Sequence, residues 1–221
     1  MISLEAMGDQ AVLARFAQES DAGQFTAWIR SQNPTWLVDV VQAYQSVAVF
    51  FDLREIALNH VQTELAAFSL HETDTEAGHL FEIPCCYDLA LDRERVCEVT
   101  KLSWPEIVTI HTSKIYTVFA IGFCPGFPYL GYLPEELSNV PRLDSPRQKV
   151  EAGSVGLTGR QTGIYTEARP GGWSIIGRTP LLLVNVEENY FPLRTGDRIQ
   201  FVPIDRDRFE KLQGTRVKNE N

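Results

Sequence analysis

The chain has 221 residues, 44% of them hydrophobic, and a formal net charge of −9. This is length enough for one large domain or two small ones with real cores, while the acidic balance excludes the clustered Lys and Arg that attract nucleic acid or an anionic membrane. No apolar run has the length to span a bilayer, and Met1–Glu5 lacks a basic region followed by an apolar core, so a soluble cytoplasmic protein is expected.

Residues 1–78 read as a small α+β domain. Ile2, Leu4 and Ala6 alternate with polar positions before Gly8-Asp9, and Val12, Ala14 and Phe16 alternate after it, the period of two expected of a hairpin. Phe25, Trp28 and Ile29 give a short helix that Asn33-Pro34 stops, because the residue before proline avoids the α region. Strands are expected over Trp36–Tyr44 and Val47–Asp52 with Gln45-Ser46 as the turn, then a helix with Leu58, Val61, Leu65 and Phe68 on one stripe. The polar, acidic run His71–Gly78 reads as a linker.

A second domain is expected over 79–205. Leu80–Tyr87 is strand-like and Asp88–Lys101 helical, with Val96 and Val99 inward. Ser103-Trp104-Pro105-Glu106 is a capping box with proline in the first turn, which predicts a helix from Trp104 to Ser113 carrying His111. Lys114–Phe123 reads as a central strand covered on both faces. Leu181–Val186 and Arg198–Pro203 read as later strands, and 206–221 as a marginal helix or frayed tail. Many short strands with turn signals argue for a barrel-like β domain carrying two helices.

The stretch Gly122–Pro180 holds ten of the 15 glycines and seven of the 12 prolines, so many of its turns must be specified. It also keeps Phe123, Phe127, Tyr129, Tyr132, Tyr165 and Trp173, which a flexible linker would not. It reads as a rigid, loop-built surface with apolar anchors. There is no G-x-x-x-x-G-K-[ST], G-x-S-x-G or H-E-x-x-H, and the four cysteines lack zinc-site spacing, so no metal is expected. Cys124 is a nucleophile or a structural thiol. Gly153, Gly156, Gly159 and Gly163, with Ser154, Thr158 and Thr162 among them, present N–H groups and hydroxyls to an anion or simply make tight turns. His111 is a base or a satisfied structural residue, and Arg178 a carboxylate fork or an ordinary ion pair. Gln161 and Thr162 suit the orienting of an amide or lactam, or pin a loop. Trp173 is a packing anchor or a stacking platform.

These blocks resemble the family that includes allophanate hydrolase subunit 1, the B-type subunit of bacterial 5-oxoprolinase and the inhibitor of the sporulation histidine kinase. The resemblance rests on Gly122-Phe123, Pro125–Leu130, Ala152–Gly156, Gln161–Tyr165, Pro170–Trp173 and Ile176–Pro180. It implies an α+β protein in which a small N-terminal domain precedes a cyclophilin-like β-barrel. It also implies work within an ATP-hydrolysing 5-oxoprolinase, with ATP entering through the complex, beside a C-type subunit similar to allophanate hydrolase subunit 2 and an A-type subunit. The alternatives are an allophanate hydrolase-type subunit and a module that binds a histidine kinase. On this reading His111, Gln161 and Arg178 are catalytic, and Phe127, Tyr129, Ser154, Thr162, Tyr165, Trp173 and Thr179 bind substrate. Glu151 and Thr166 depart from the family pattern by standing where proline is usual, and Tyr87 leads into Asp88-Leu89-Ala90 where many members have glycines.

Overall fold

The computed structural model describes residues 2–70 and 78–217. The chain forms two compact units, Met1–Glu76 and Ala77–Asn221. The expected linker lies, apart from Gly78, outside the described residues.

In the first unit, β1 (Ser3–Ala6) and β2 (Ala11–Arg15) form the expected hairpin, with Leu4 opposite Ala14. Helix α1 spans Glu19–Gln32, longer than its apolar positions suggested, and ends where Asn33 turns left-handed (φ 42°) ahead of Pro34. Strands β3 (Leu37–Ala43) and β4 (Ser46–Phe51) follow, then α2 (Leu58–Ala66), and the antiparallel ladders run β1-β2-β4-β3. The turn between β3 and β4 falls at Tyr44-Gln45, not Gln45-Ser46, because Tyr44 takes the left-handed conformation (φ 53°) and Ser46 already pairs with Ala43. Phe25 and Ile29 of α1 and Val61 and Leu65 of α2 close over Val12, Ala14, Val47, Val49 and Phe51. Burying each such side chain contributes about 1.5–3 kcal/mol.

The second unit opens with β5 (Leu80–Cys85), a short turn of tight helix and α3 (Arg93–Thr100). The helix starts only at Arg93, not Asp88, and of the two valines expected inward Val96 is buried while Val99 points to solvent. Helix α4 (Trp104–Thr112) starts at the capping box, where the Glu106 carboxylate accepts from the Ser103 N–H at 2.8 Å and its hydroxyl at 2.5 Å. There follow β6 (Ile115–Ile121), β7 (Pro128–Gly131), β8 (Arg147–Val150), β9 (Ser154–Thr158), β10 (Gln161–Ile164), β11 (Arg169–Gly171), β12 (Ser174–Arg178), β13 (Arg198–Pro203) and α5 (Arg206–Leu212).

The architecture is mixed, with a large antiparallel sheet and five α-helices among the described residues. In this unit the ladders run β5-β13-β6-β7-β10-β9-β12, antiparallel except between β5 and β13, and β8 pairs with β11. The path is open. An isolated bridge links Cys86, just beyond β5, to Arg178 of β12, with Cys86 N–H donating to the Arg178 carbonyl at 2.8 Å and Arg178 N–H to the Cys86 carbonyl at 3.1 Å.

Gly122–Pro180 is built from short strands as well as loops. It contains six strands, β7 to β12, whose shortness and glycine content hid the period of two. Conversely, Leu181–Val186 is no strand and makes only isolated bridges at Leu182 and Asn185. Beyond 205, Asp205 accepts from Arg208 N–H at 2.7 Å to start α5, and Phe209 and Val217 are buried. Among the described residues no helix is long and apolar enough to cross a membrane.

Candidate functional site

The two faces of β10 carry different chemistry. Alternation sends Thr162 and Ile164 into the main core with Val155, Leu157 and Leu130, and Gly163 to the opposite face. There Gly163 sits directly across from Gly156 of β9. A Cβ on Gly163 would lie 3.0 Å from both Phe127 and Trp173, and one on Gly156 would lie 3.1 Å from Trp173. The missing side chains are what let Trp173 lie against the sheet.

Around it Phe127, Tyr165, Cys124, Val150 and Ile175 form a second buried cluster, with the half-buried Tyr129 packed against it. Phe127 meets Tyr129, Tyr165 and Trp173 edge to face at centroid distances of 4.9, 5.3 and 5.6 Å, geometries in which ring edges complement ring faces. Burial pushes the Tyr129 and Tyr165 phenols above their usual pKa, opposed in both by the positive charge of Arg142. Sequence reading passed over Arg142, since a lone exposed arginine carries no signal until the tyrosines are placed beside it.

A second group of expected residues gathers at the Gly153 turn. Gly153 N–H donates to the Tyr165 carbonyl at 2.6 Å, Tyr165 N–H to the Ser154 carbonyl at 2.9 Å, and Thr179 N–H to the Gly153 carbonyl at 2.8 Å. Arg178 Nε donates to the Ala152 carbonyl at 2.8 Å, so part of its fork holds the turn. Gly153 has φ 83°, and a Cβ there would collide with the Thr179 carbonyl, which is why glycine is needed. Ser154 and Thr179 are both buried, and Gln161 begins β10 half-buried.

His111 and Thr162 meet on the core side instead. His111 is completely buried: Tyr87 Oη lies 2.7 Å from Nδ1, and Thr162 Oγ1 lies 3.1 Å from Nε2. The ring packs on Phe201 with centroids 4.6 Å apart. Burial alone pulls its pKa from 6.5 down to about 3. The folded protein thus excludes a proton that the unfolded chain accepts below about pH 6.5, so stability is lost as pH falls through that value, at about 1.4 kcal/mol per pH unit. Between about pH 7.5 and pH 5, chemical denaturation is expected to show a loss about 2 kcal/mol larger for wild type than for His111→Gln. Equal losses would assign the pH dependence elsewhere.

Cys124 is held as a thiol. Thr166 donates its hydroxyl hydrogen to the Pro125 carbonyl at 2.7 Å, leaving its oxygen to accept from the Cys124 S–H at 3.5 Å. Burial raises the Cys124 pKa, the opposite of what a nucleophile needs. Thr166 thereby ties the Pro125 loop to the end of β10. Two residues missed by sequence reading, Asp92 and Arg147, pair at 2.6 Å behind Ile175. An aspartate just before a helix signals a cap, and nothing local pointed to a partner 55 residues away. Among the described residues no group of three or more His, Cys, Asp and Glu could hold a metal ion.

Residues 2–193 match the model of the carboxyltransferase domain, subdomain C and D. The chain is 35% identical to the 5-oxoprolinase B-type subunit of Bacillus subtilis, covering 91% of this chain and 92% of that protein. Among solved structures it is similar to a conserved uncharacterized protein of Pyrococcus horikoshii, with 36% identity, a TM-score of 0.55 and coverage of 94% and 100%. It is also similar to TTHA0988, with 29% identity, a TM-score of 0.78 and 93% of this chain covered. The chain spans only 40% of the length of TTHA0988.

Proposed function

The chain belongs to the carboxyltransferase domain family, subdomain C and D, and from that premise we propose that it is the B-type subunit of a 5-oxoprolinase. The observation that carries the reading is the 35% identity to a 5-oxoprolinase B-type subunit along nine-tenths of both chains. The reaction opens the lactam of 5-oxoproline to glutamate at the expense of ATP. A phosphoryl group from ATP activates the lactam oxygen and releases ADP, because an amide carbonyl is a poor electrophile; water adds at that carbon, the C–N bond breaks with the nitrogen leaving as the amine, and a second water releases the phosphoryl group as inorganic phosphate. A C-type and an A-type subunit complete the enzyme, and ATP enters through the complex.

Within that complex the face built on Gly156 and Gly163 is the chain's contribution to the site. Phe127, Tyr129, Tyr165 and Trp173 supply its apolar wall. Gln161, on the same face of β10 as Gly163 by alternation, supplies amide donors and acceptors suited to a lactam, and Arg178 with Ser154 and Thr179 borders it at the Gly153 turn. The second unit is a cyclophilin-like barrel on this reading, supported by the isolated bridge from Cys86, just beyond β5, to Arg178 of β12.

Phe123 marks where a partner subunit covers this face. Its ring is 60% exposed and stands edge-on to Phe127 at 5.4 Å, on a backbone with φ 67° that a non-glycine residue seldom adopts. Phe123→Gly relieves that strain, so its stability is expected to stay within about 1 kcal/mol of wild type. Its copurification with the C-type subunit is expected to fall. Undiminished copurification would remove Phe123 from the interface.

A further inference from the structure

The ring nitrogens of His111 are accounted for by the groups around them. Thr162 Oγ1 lies 2.9 Å from the Gly156 carbonyl, which can only accept, so the single hydroxyl hydrogen of Thr162 is spent there. Towards His111 the same oxygen can then only accept, and Nε2 must carry a hydrogen. The ring packs against Tyr116 and Phe201 in the core, and its only polar contacts among the described residues are with the Tyr87 and Thr162 hydroxyls. A buried imidazolium without a carboxylate is heavily disfavoured. Nδ1 therefore keeps its lone pair and accepts from the Tyr87 hydroxyl.

The result is a directed chain, Tyr87 O–H to His111 Nδ1, His111 Nε2–H to Thr162, and Thr162 O–H to the Gly156 carbonyl. It crosses from the core to the glycine on which Trp173 rests. We infer that His111 is a positioning residue, a neutral imidazole protonated on Nε2 that fixes Thr162 and, through it, the Gly156–Gly163 pair supporting the aromatic face. Its ring does not touch that face. The inference rests on the reading of the aromatic face as part of the 5-oxoprolinase site.

Two measurements test it. Nitrogen-15 NMR of the His111 ring in the full chain is expected to show a hydrogen on Nε2 only, unchanged between about pH 5 and pH 8. Thr162→Val is expected to shift that signal and Thr162→Ser to keep it. A hydrogen on Nδ1, or titration within that range, overturns the inference. In the complex reconstituted with C-type and A-type subunits, Thr162→Val is expected to lower kcat for 5-oxoproline about 10- to 100-fold with KM little changed, as misplacement of a site does. Thr162→Ser, which folds with the same hydroxyl, is expected to restore it. Wild-type kcat and KM in Thr162→Val overturn the inference. A wild-type complex inactive on 5-oxoproline overturns the functional reading instead, and the NMR arm then decides the role of His111 by itself.

Discussion

Trp173→Ala is expected to lower stability by about 3–5 kcal/mol, the range for truncating a buried aromatic side chain. Trp173 is buried against Phe127 and Tyr129 at centroid distances of 5.6 and 5.9 Å and spans the Gly156–Gly163 pair. Removing the indole opens a cavity that the sheet beneath cannot fill, because both positions under it are glycines. Gly163→Ala by itself is expected to cost about 1–3 kcal/mol, since its methyl group meets Phe127, Trp173 and the Pro128 carbonyl at 2.9–3.0 Å. In the double variant the methyl group occupies part of the vacated space, so the loss is expected to be smaller than the sum of the two. Strict additivity in urea denaturation would show that Trp173 does not rest on Gly163.

Asp92→Ala is expected to cost about 2–4 kcal/mol, because it strands the buried Ile175 N–H and unpairs a partly exposed Arg147. Asp92 stands at the start of α3 but spends its carboxylate elsewhere: one oxygen accepts from Arg147 Nη2 at 2.6 Å and the other from Ile175 N–H at 2.6 Å. The register of β12 against β9 shifts between Ile175 and Gly177. Such a bulge leaves ladder donors unpaired, and the Asp92 carboxylate takes up one of them. The backbone N–H groups of Leu91 and Asp92 both donate to the Ile175 carbonyl at 3.0 Å, so Ile175 is clamped on both sides. Losing the carboxylate strands the Ile175 donor and leaves the Arg147 guanidinium, whose Nη1 is already buried without a partner, uncompensated. Asp92→Asn keeps one acceptor and is expected to fall between wild type and Ala. Adding Arg147→Met to Asp92→Ala is expected to recover part of the loss, and a further loss would contradict the pairing.

What the sequence made legible was whatever is local. The capping box at Ser103 and Glu106 involves neighbours on one turn, and the β1–β2 hairpin is written in alternation around Gly8-Asp9. Strands β7 to β12 were illegible because each spans only three to five residues, too few for a period to emerge, and glycines occupy faces that would otherwise read as apolar. Val99 was misplaced because its three-residue spacing from Val96 fits one helix face, yet only Val96 is covered. The aromatic anchors could be named from the sequence, yet the facing of Gly156 and Gly163 is a matter of register, fixed only when β9 and β10 pair. His111 and Thr162 are 51 residues apart, so their contact on the core side of the sheet had no local sign. The function came from ordered motifs shared with a family rather than from any catalytic signature.

The most direct test is 5-oxoproline-dependent ATP hydrolysis by the C-type and A-type subunits, measured with and without this chain. Phosphate release that depends on both the chain and 5-oxoproline is expected, falling about 100-fold or more when Gln161→Ala and Arg178→Ala are combined. Full activity of that double variant would remove the two residues from the site. The same rate without the chain would contradict its assignment as a subunit of the enzyme.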